Sequence, residues 1–331
     1  MSNPEPASSR REFLRRVGVS GGAALALGAT AWWRHDPHGP AAPSAPDSSF
    51  AYPDYRMPGL GGQLSVATGD DRAACARRAL EALGGMAAFI KPGDRVLIKV
   101  NAAFALPSLL CATTHPELLA EVVRMCHAAG ARQVVVTDNP INDPASCFRL
   151  TGIAAAAESA GARVLLPHAR LFRPFTLPGG RLLRQCPVLA GPFEGITKVI
   201  GLSPVKDHHR AGASLSLKNW YGLLGGRRNI FHQDINTIIC ELGLMLRPTL
   251  VLLDGVHSMQ SNGPTGGSVA DLKMTRTMIA ATDLVAADTL AAGLLGRTPA
   301  SLPYLAMAQT AGLGTMDVDS LRPRYVEAGA A

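Results

Sequence analysis

Three Lys, three Arg and three His fall within residues 196–234, ITKVIGLSPVKDHHRAGASLSLKNWYGLLGGRRNIFHQD, among apolar residues that read as folded structure. Amines and guanidinium groups hold anions, and an imidazole exchanges protons near neutral pH. A basic, His-bearing segment inside apolar sequence therefore predicts a ligand site rather than a solvated surface. The candidates for catalysis are Lys206, His208 and His232. Those for holding a ligand or cofactor are Lys99, Asn101, Lys218, Asn219, Arg227, Arg228, Asp254, Gly263, Gly266 and Gly267.

Each residue also has an ordinary reading. Asp254 before Gly255 suits a turn. Arg227-Arg228 suits a helix end facing water. Lys99 sits inside an apolar strand and needs a charged partner or an edge position. Lys218, between Leu217 and Asn219-Trp220, needs a partner such as Asp254 or an anion. His208 and His209 are adjacent, so regular structure points them apart. No H-x-x-x-H or H-E-x-x-H occurs, which leaves the metal, if any, unknown.

The cofactor is likewise open. The six Cys include no C-x-x-C, so neither a zinc ribbon nor an iron–sulfur cluster run is present. The glycines at 222, 225 and 226 lack the Lys-Ser/Thr of a Walker loop, and no G-x-S-x-G elbow occurs.

The elements that must position these residues follow an alternating order. Residues 95–101, 133–138, 163–166, 196–202, 249–254 and 277–281 read as strands, the first two apolar on both faces as in a buried parallel sheet. Helices are expected at 72–83, 149–160, 211–223, 234–246, 284–295 and 303–310. Another begins at a Thr114/Glu117 capping box and ends at Gly130. The fold class is α/β, a mostly parallel open sheet with helices on both faces. A Pro/Gly-rich insertion at about 172–193 reads as an antiparallel hairpin. Ligands gather beyond the carboxyl ends of such strands. That rule draws Lys99, Asn101, Asp138, Asn139, Lys206, His208 and Asp254 into one zone.

Composition sets the outer bounds. At 331 residues, 47% hydrophobic and 17% charged, the chain is globular. Ser9-Arg10-Arg11-Glu12-Phe13-Leu14-Arg15 resembles the twin-arginine export signal, and Ala29-Thr30-Ala31 fits a cleavage site. This predicts a signal peptide at 1–31, a Pro/Ala-rich linker at 32–50 and one α/β domain at 51–331. The expected location is the periplasm or cell envelope, with the export machinery as a partner. Membrane contact is expected only through an uncleaved signal. The formal charge of +7 falls to +5 once residues 1–31, with four Arg and two Glu, are removed. That suits a small anionic ligand and is too weak and scattered for nucleic acid.

The ordered series Lys99-Val100-Asn101, Ala112 to Pro116, Lys206-Asp207-His208, Ser216 to Gly222, Arg227-Arg228, His232, Asp254-Gly255, Gly263-Pro264, Gly267 and Asp283 to Asp288 resembles the domain-of-unknown-function 362 family. The resemblance covers roughly residues 90–315. Many relatives carry Lys-Thr-His where this chain has Lys206-Asp207-His208. The resemblance implies export, and in some members an iron–sulfur segment whose Cys motif is missing here. A more distant likeness to the lactate racemase group, which uses Lys and His around a nickel-bearing cofactor, is an analogy. Two readings follow. One is an exported enzyme that holds an anion on Lys99, Lys206, Lys218 and Arg228 and moves a proton with His208 or His232. The other is a non-catalytic metal, iron–sulfur or cofactor binding or maturation protein serving a redox partner.

Overall fold

The computed structural model describes residues 11–12, 15–20, 22 and 50–329. Two compact units divide the chain, Met1–Ser48 and Ser49–Ala331. The predicted cleavage site, the linker up to residue 49 and most of the twin-arginine motif lie outside the described residues. Among the described residues no helix is long and apolar enough to cross a membrane.

In the second unit the strands are β1 (Leu64–Thr68), β2 (Arg95–Lys99), β3 (Gln133–Thr137), β4 (Arg163–Val164), β5 (Phe172–Phe175), β6 (Cys186–Leu189), β7 (Lys198–His208), β8 (Gly212–Ser214), β9 (Leu250–Met259), β10 (Leu272–Ala281) and β11 (Arg324–Glu327). The helices are α1 (Arg72–Ala82), α2 (Met86–Phe89), α3 (Pro116–Ala128), α4 (Pro144–Leu150), α5 (Ile153–Ser159), α6 (Ser216–Asn219), α7 (Ile235–Met245), α8 (Leu284–Leu294) and α9 (Pro303–Thr310). The main sheet runs β11-β1-β10-β9-β7-β2-β3-β4, with β8 paired to β7. The β4-β3-β2-β7-β9 stretch is parallel, while β10 is antiparallel to both β9 and β1. The sheet is thus mixed and mostly parallel. β5 and β6 form a separate antiparallel pair within the Pro/Gly-rich stretch.

Alternation along the strands builds a core on each face. Val96, Ile98, Val134, Val136, Ile200, Leu250 and Leu252 pack with α1, α3 and α5. Leu97, Val135, Val199, Val251, Leu253 and Ile279 face the other way, toward α7, α8 and α9. The strands are apolar on both sides because both sides are covered.

Several boundaries differ from the sequence expectation. The helix expected at 149–160 is two helices, broken where Gly152 takes a φ of 77°. Thr114 does not cap α3; His115 does, with Pro116 in the first turn. The Thr114 hydroxyl instead accepts the Asn101 N–H at 2.7 Å and donates to the Leu202 carbonyl at 3.0 Å, joining β2 to β7. The helix expected at 211–223 is β8, one turn of α6 and a 3-10 turn over Trp220–Leu223. The cause is that β7 continues to His208, and Gly212, at a φ of 77°, returns the chain onto it. β1 and β11 were not among the predicted strands.

Candidate functional site

β2 and β3 end side by side at Lys99 and Thr137, β7 runs on past them to His208, and a cavity of about 640 Å³ opens above the two ended strands and beside the extension of β7. Its floor is an ion pair. Lys99, the last residue of β2, lies 2.9 Å from the Asp138 carboxylate just beyond β3, and the two are 1% and 2% exposed. Lys99 also donates to Asn219 Oδ1 at 2.9 Å, and the Ala102 N–H donates to the other Asp138 oxygen at 2.7 Å. A charge this deep is tolerated only when paired and hydrogen-bonded. Gly222 supplies the room: a Cβ there would stand 2.0 Å from Asp138 Oδ1 and 2.6 Å from Lys99 Nζ.

One wall comes from the end of β7. Strand alternation turns Lys206 and His208 into the cavity and Asp207 away from it. Asp207 accepts the Gly263 N–H at 3.0 Å and pairs with Arg297, which holds the 262–266 loop over the opening. The Lys206 amine donates to the Ala112 carbonyl and lies 5.2 Å from the Phe104 ring centroid. Burial pushes Lys206 down to about 7, with Lys218 and Lys99 adding to the shift and Asp138 opposing it.

Lys218 comes from α6. Its amine stands 5.1 Å over the Tyr221 ring and has no hydrogen-bond acceptor among the described residues. Burial, then the charges of Lys99 and Arg228, push it down to about 7. Asp138 is the one carboxylate lining the cavity among the described residues, and it is already paired with Lys99. The cavity therefore holds more potential cations than anions.

Three imidazoles stack along the other side. The His208 ring centroid is 5.1 Å from that of His209 and 5.8 Å from that of His232, at interplanar angles of 9° and 16°. This corrects the expectation that adjacent imidazoles point apart: β7 ends at His208, and His209 begins a turn that brings its ring alongside. Hydrogen-bond partners assign the tautomers. His208 Nδ1 accepts the Arg210 and Ala211 N–H groups, both at 3.2 Å, so its proton is on Nε2. Burial, then Lys218 and Lys206, push His208 down to about 2, so it is neutral. The Tyr221 hydroxyl gives its hydrogen to the Arg228 carbonyl, leaving its oxygen to accept. His232 Nδ1 lies 3.0 Å from that oxygen and 3.3 Å from the Asn229 carbonyl, so it carries hydrogen and Nε2 keeps the lone pair.

Of the residues singled out from sequence, Lys99, Asn101, Lys206, His208, Lys218, Asn219, Arg228, His232, Gly263 and Gly266 line this one cavity. Arg228 is largely committed, donating to the carbonyls of Asn139, Leu224 and Pro140 at 2.7, 3.1 and 2.7 Å. Asp254, Arg227 and Gly267 lie outside it, which corrects their inclusion. Asp254 is not a strand end, because β9 runs on to Met259. It shares a strand face with Leu252 and Val256, toward α1, where it pairs with Arg72 at 2.9 Å. It is therefore no partner for Lys218. Arg227 and Gly267 are exposed.

Phe104, Tyr221, Gly222 and Asp288 carry structural duties that sequence reasoning did not assign. Asp288 on α8 accepts the Ser216 hydroxyl and the N–H groups of Ser216 and Leu217, fixing the start of α6. A lone acid in an apolar helix was the available signal.

Comparison with known proteins agrees with the resemblance read from the motifs. The chain matches the family described as Domain of unknown function (DUF362) over residues 96–293. It is 28% identical over 256 residues to a thylakoid-associated protein of Synechocystis sp., an alignment covering 72% of this chain and 74% of that protein. Among solved structures it is similar to the lactate racemase apoprotein of Thermoanaerobacterium thermosaccharolyticum, with a TM-score of 0.38 and 13% identity, covering 74% of this chain and 58% of that one. It is also similar to a Thermotoga maritima protein, with a TM-score of 0.35 and 14% identity, covering 56% of this chain and 51% of that one. The chain thus spans less than two thirds of the length of either solved structure. It belongs to the domain-of-unknown-function 362 family.

Proposed function

We propose that this family member binds an organic anion in the Lys99–Lys206–Lys218 cleft and moves a proton on it. The observation that carries this reading is the charge imbalance: three buried amines converge on one cavity whose lining carboxylate is already paired. An anion there would favour the protonated state of Lys206 and offer further acceptors to the amines of the cleft. His208 presents a neutral Nε2–H that can hydrogen-bond to a developing oxyanion, and His232 an Nε2 lone pair that can take and return a proton. Asn101 and Asn219 would orient the ligand, and the Gly263 and Gly266 segment would close over it.

The test is thermal unfolding of the full chain with a panel of carboxylates and phosphates, against sodium chloride at matched ionic strength. At least one organic anion is expected to raise Tm, and Lys206→Ala or Lys218→Ala to abolish the rise without loss of fold. If no anion exceeds the salt control, the reading fails.

A second reading keeps the same cleft and drops the turnover, making the protein a carrier or maturation factor for a bound cofactor. The cavity volume supports it, since about 640 Å³ admits a ligand larger than a small acid. None of the six cysteines lines the cavity, which disfavours an iron–sulfur cluster as cargo there. Native mass spectrometry with metal analysis separates the readings: a retained cofactor without turnover on small acids favours the carrier.

Export belongs to the same proposal. The motif at Arg10-Arg11 supports it, and a relative described as thylakoid-associated agrees with a membrane-adjacent setting. Substituting both arginines by lysine is expected to retain the protein in the cytoplasm, as read by fractionation.

A further inference from the structure

The chain carries 26 Arg and only six Lys, and three of those six are the buried amines of the cleft. The other three, Lys91, Lys198 and Lys273, lie outside it. Arginine is the better anion clamp, because its planar fork binds a carboxylate bidentately and never loses its charge. A protein that uses arginine for most of its positive charge, yet lysine here, gains something that arginine lacks. That property is an amine able to shed its proton and form a bond to carbon.

The three amines are not equivalent. Lys99 is held by Asp138 and Asn219, and Lys206 donates to the Ala112 carbonyl. Lys218 has no hydrogen-bond acceptor among the described residues and faces the cavity over Tyr221. Its turn is fixed by Asp288. Burial first, and then the neighbouring charges of Lys99 and Arg228, oppose its protonation, as in lysines activated in an apolar pocket or by an adjacent positive charge.

We infer that Lys218 is a nucleophile that condenses with the carbonyl group of an anionic carbonyl compound, a 2-oxo acid, held in the cleft. This rests on the anion-binding reading above. The neutral amine adds to the carbonyl carbon, forming the C–N bond while the carbonyl oxygen takes up a proton. The carbinolamine then loses that oxygen as water, giving an imine and consuming no oxidant or reductant. His232 Nε2 takes the two amine protons in turn and returns them to that oxygen, so both leave with the water, while the His208 Nε2–H donates a hydrogen bond to the oxygen as charge develops on it. The imine then acts as an electron sink for deprotonation at the adjacent carbon.

The experiment treats the full chain with glyoxylate or pyruvate, adds sodium borohydride to reduce any imine to a stable secondary amine, and maps the modified lysine by peptide mass spectrometry. Near pH 7 Lys218 is expected to be modified at least about ten-fold more than the exposed Lys91 and Lys273 of the same chain, because a depressed pKa leaves far more free amine. This internal ranking needs no variant. Lys218→Arg is expected to lose the adduct while keeping the folded signal. Labelling confined to Lys91 and Lys273, or even across all six lysines, overturns the assignment. A Tm rise with carboxylates but no Lys218 adduct leaves the anion cleft standing and removes the nucleophile. Neither a Tm rise nor an adduct removes both.

Discussion

The Asp288 carboxylate accepts the Ser216 hydroxyl at 2.5 Å, and one helix thereby fixes the start of the turn that carries Lys218 and Asn219. It also takes the Ser216 and Leu217 N–H groups at 2.8 and 3.1 Å. Removing it leaves the Ser216 and Leu217 N–H groups buried without an acceptor, while the Ser216 hydroxyl keeps the Leu284 carbonyl at 3.5 Å. Asp288→Ala is expected to lower stability by about 1–3 kcal/mol per unsatisfied group, less any relaxation. The same variant should lose the anion-induced Tm rise. Urea unfolding with and without the stabilising anion reads both, and retention of the full anion response would show that Asp288 does not position the cleft.

Gly222 makes a sharper prediction because its neighbours are charged. Gly222→Ala must displace the Lys99–Asp138 pair that its Cβ would overlap. A loss of about 1–3 kcal/mol is expected from overpacking alone. Gly293, exposed in α8 with nothing within 4 Å of an added Cβ, is the contrast. Gly293→Ala should stabilise by roughly 0.5–1 kcal/mol. Equal effects at the two sites in chemical denaturation would contradict this account of Gly222.

The ion pair itself is testable by a cycle. Asp138→Asn leaves Lys99 buried and uncompensated, which is expected to cost about 3–5 kcal/mol. Adding Lys99→Met to Asp138→Asn should recover part of that loss, since the second change removes the stranded charge. A double variant as unstable as the sum of the singles would mean that the two groups do not interact.

What the sequence made legible was the sheet and the gathering of its strand ends; what it hid were the strand lengths. The apolar runs marked β2, β3 and the starts of β7 and β9 because both sheet faces are covered. The later halves of β7 and β9 carry polar residues, Lys206-Asp207-His208 and His257-Ser258, and an apolar run alone ends both strands too early. That misreading put Asp254 at a strand end, whereas alternation along the longer β9 turns it toward α1 and Arg72. It also turned β8 into helix, although Gly212 marked the hairpin. Lys206 and His208 are two residues apart and so share a strand face, a signal that was readable once β7 was extended. Tyr221 and Phe104 were not readable, since nothing local distinguishes a cavity-lining ring from a core ring.

The lysines dictate a pH dependence with two signs. Lys206 and Lys218 are depressed to about 7, below their unfolded values. The stability they contribute to the unliganded protein is present above the ordinary lysine range and is lost as pH falls from there to about 7, the interval in which the unfolded chain holds the protons and the folded one does not. Anion binding runs the other way. It needs a protonated amine, Lys206 above all, so the anion-induced Tm rise should grow as pH falls toward about 7 and shrink as pH rises above it. Unfolding measured across that range with and without the anion checks both. Opposite slopes are expected, and parallel slopes would contradict the coupling of these amines to the ligand.

The tautomers of the stacked imidazoles can be read without any ligand. Two backbone N–H groups aimed at Nδ1 force the His208 proton onto Nε2, while the Tyr221 oxygen and the Asn229 carbonyl place that of His232 on Nδ1. Nitrogen-15 spectra of ring-labelled protein should show opposite tautomers, with His208 remaining neutral throughout the range in which a free imidazole titrates. In His208→Asn the side-chain oxygen can take the two N–H groups that Nδ1 now accepts, so the turn after β7 is expected to persist while the Nε2–H donor is lost. Such a variant should keep its folded signal and the anion-induced Tm rise but slow imine formation with glyoxylate by about 10²-fold, the range of a missing hydrogen-bond donor to a developing oxyanion. If His208 titrates near neutrality, or if both rings share one tautomer, the division of donor and proton acceptor between them does not hold.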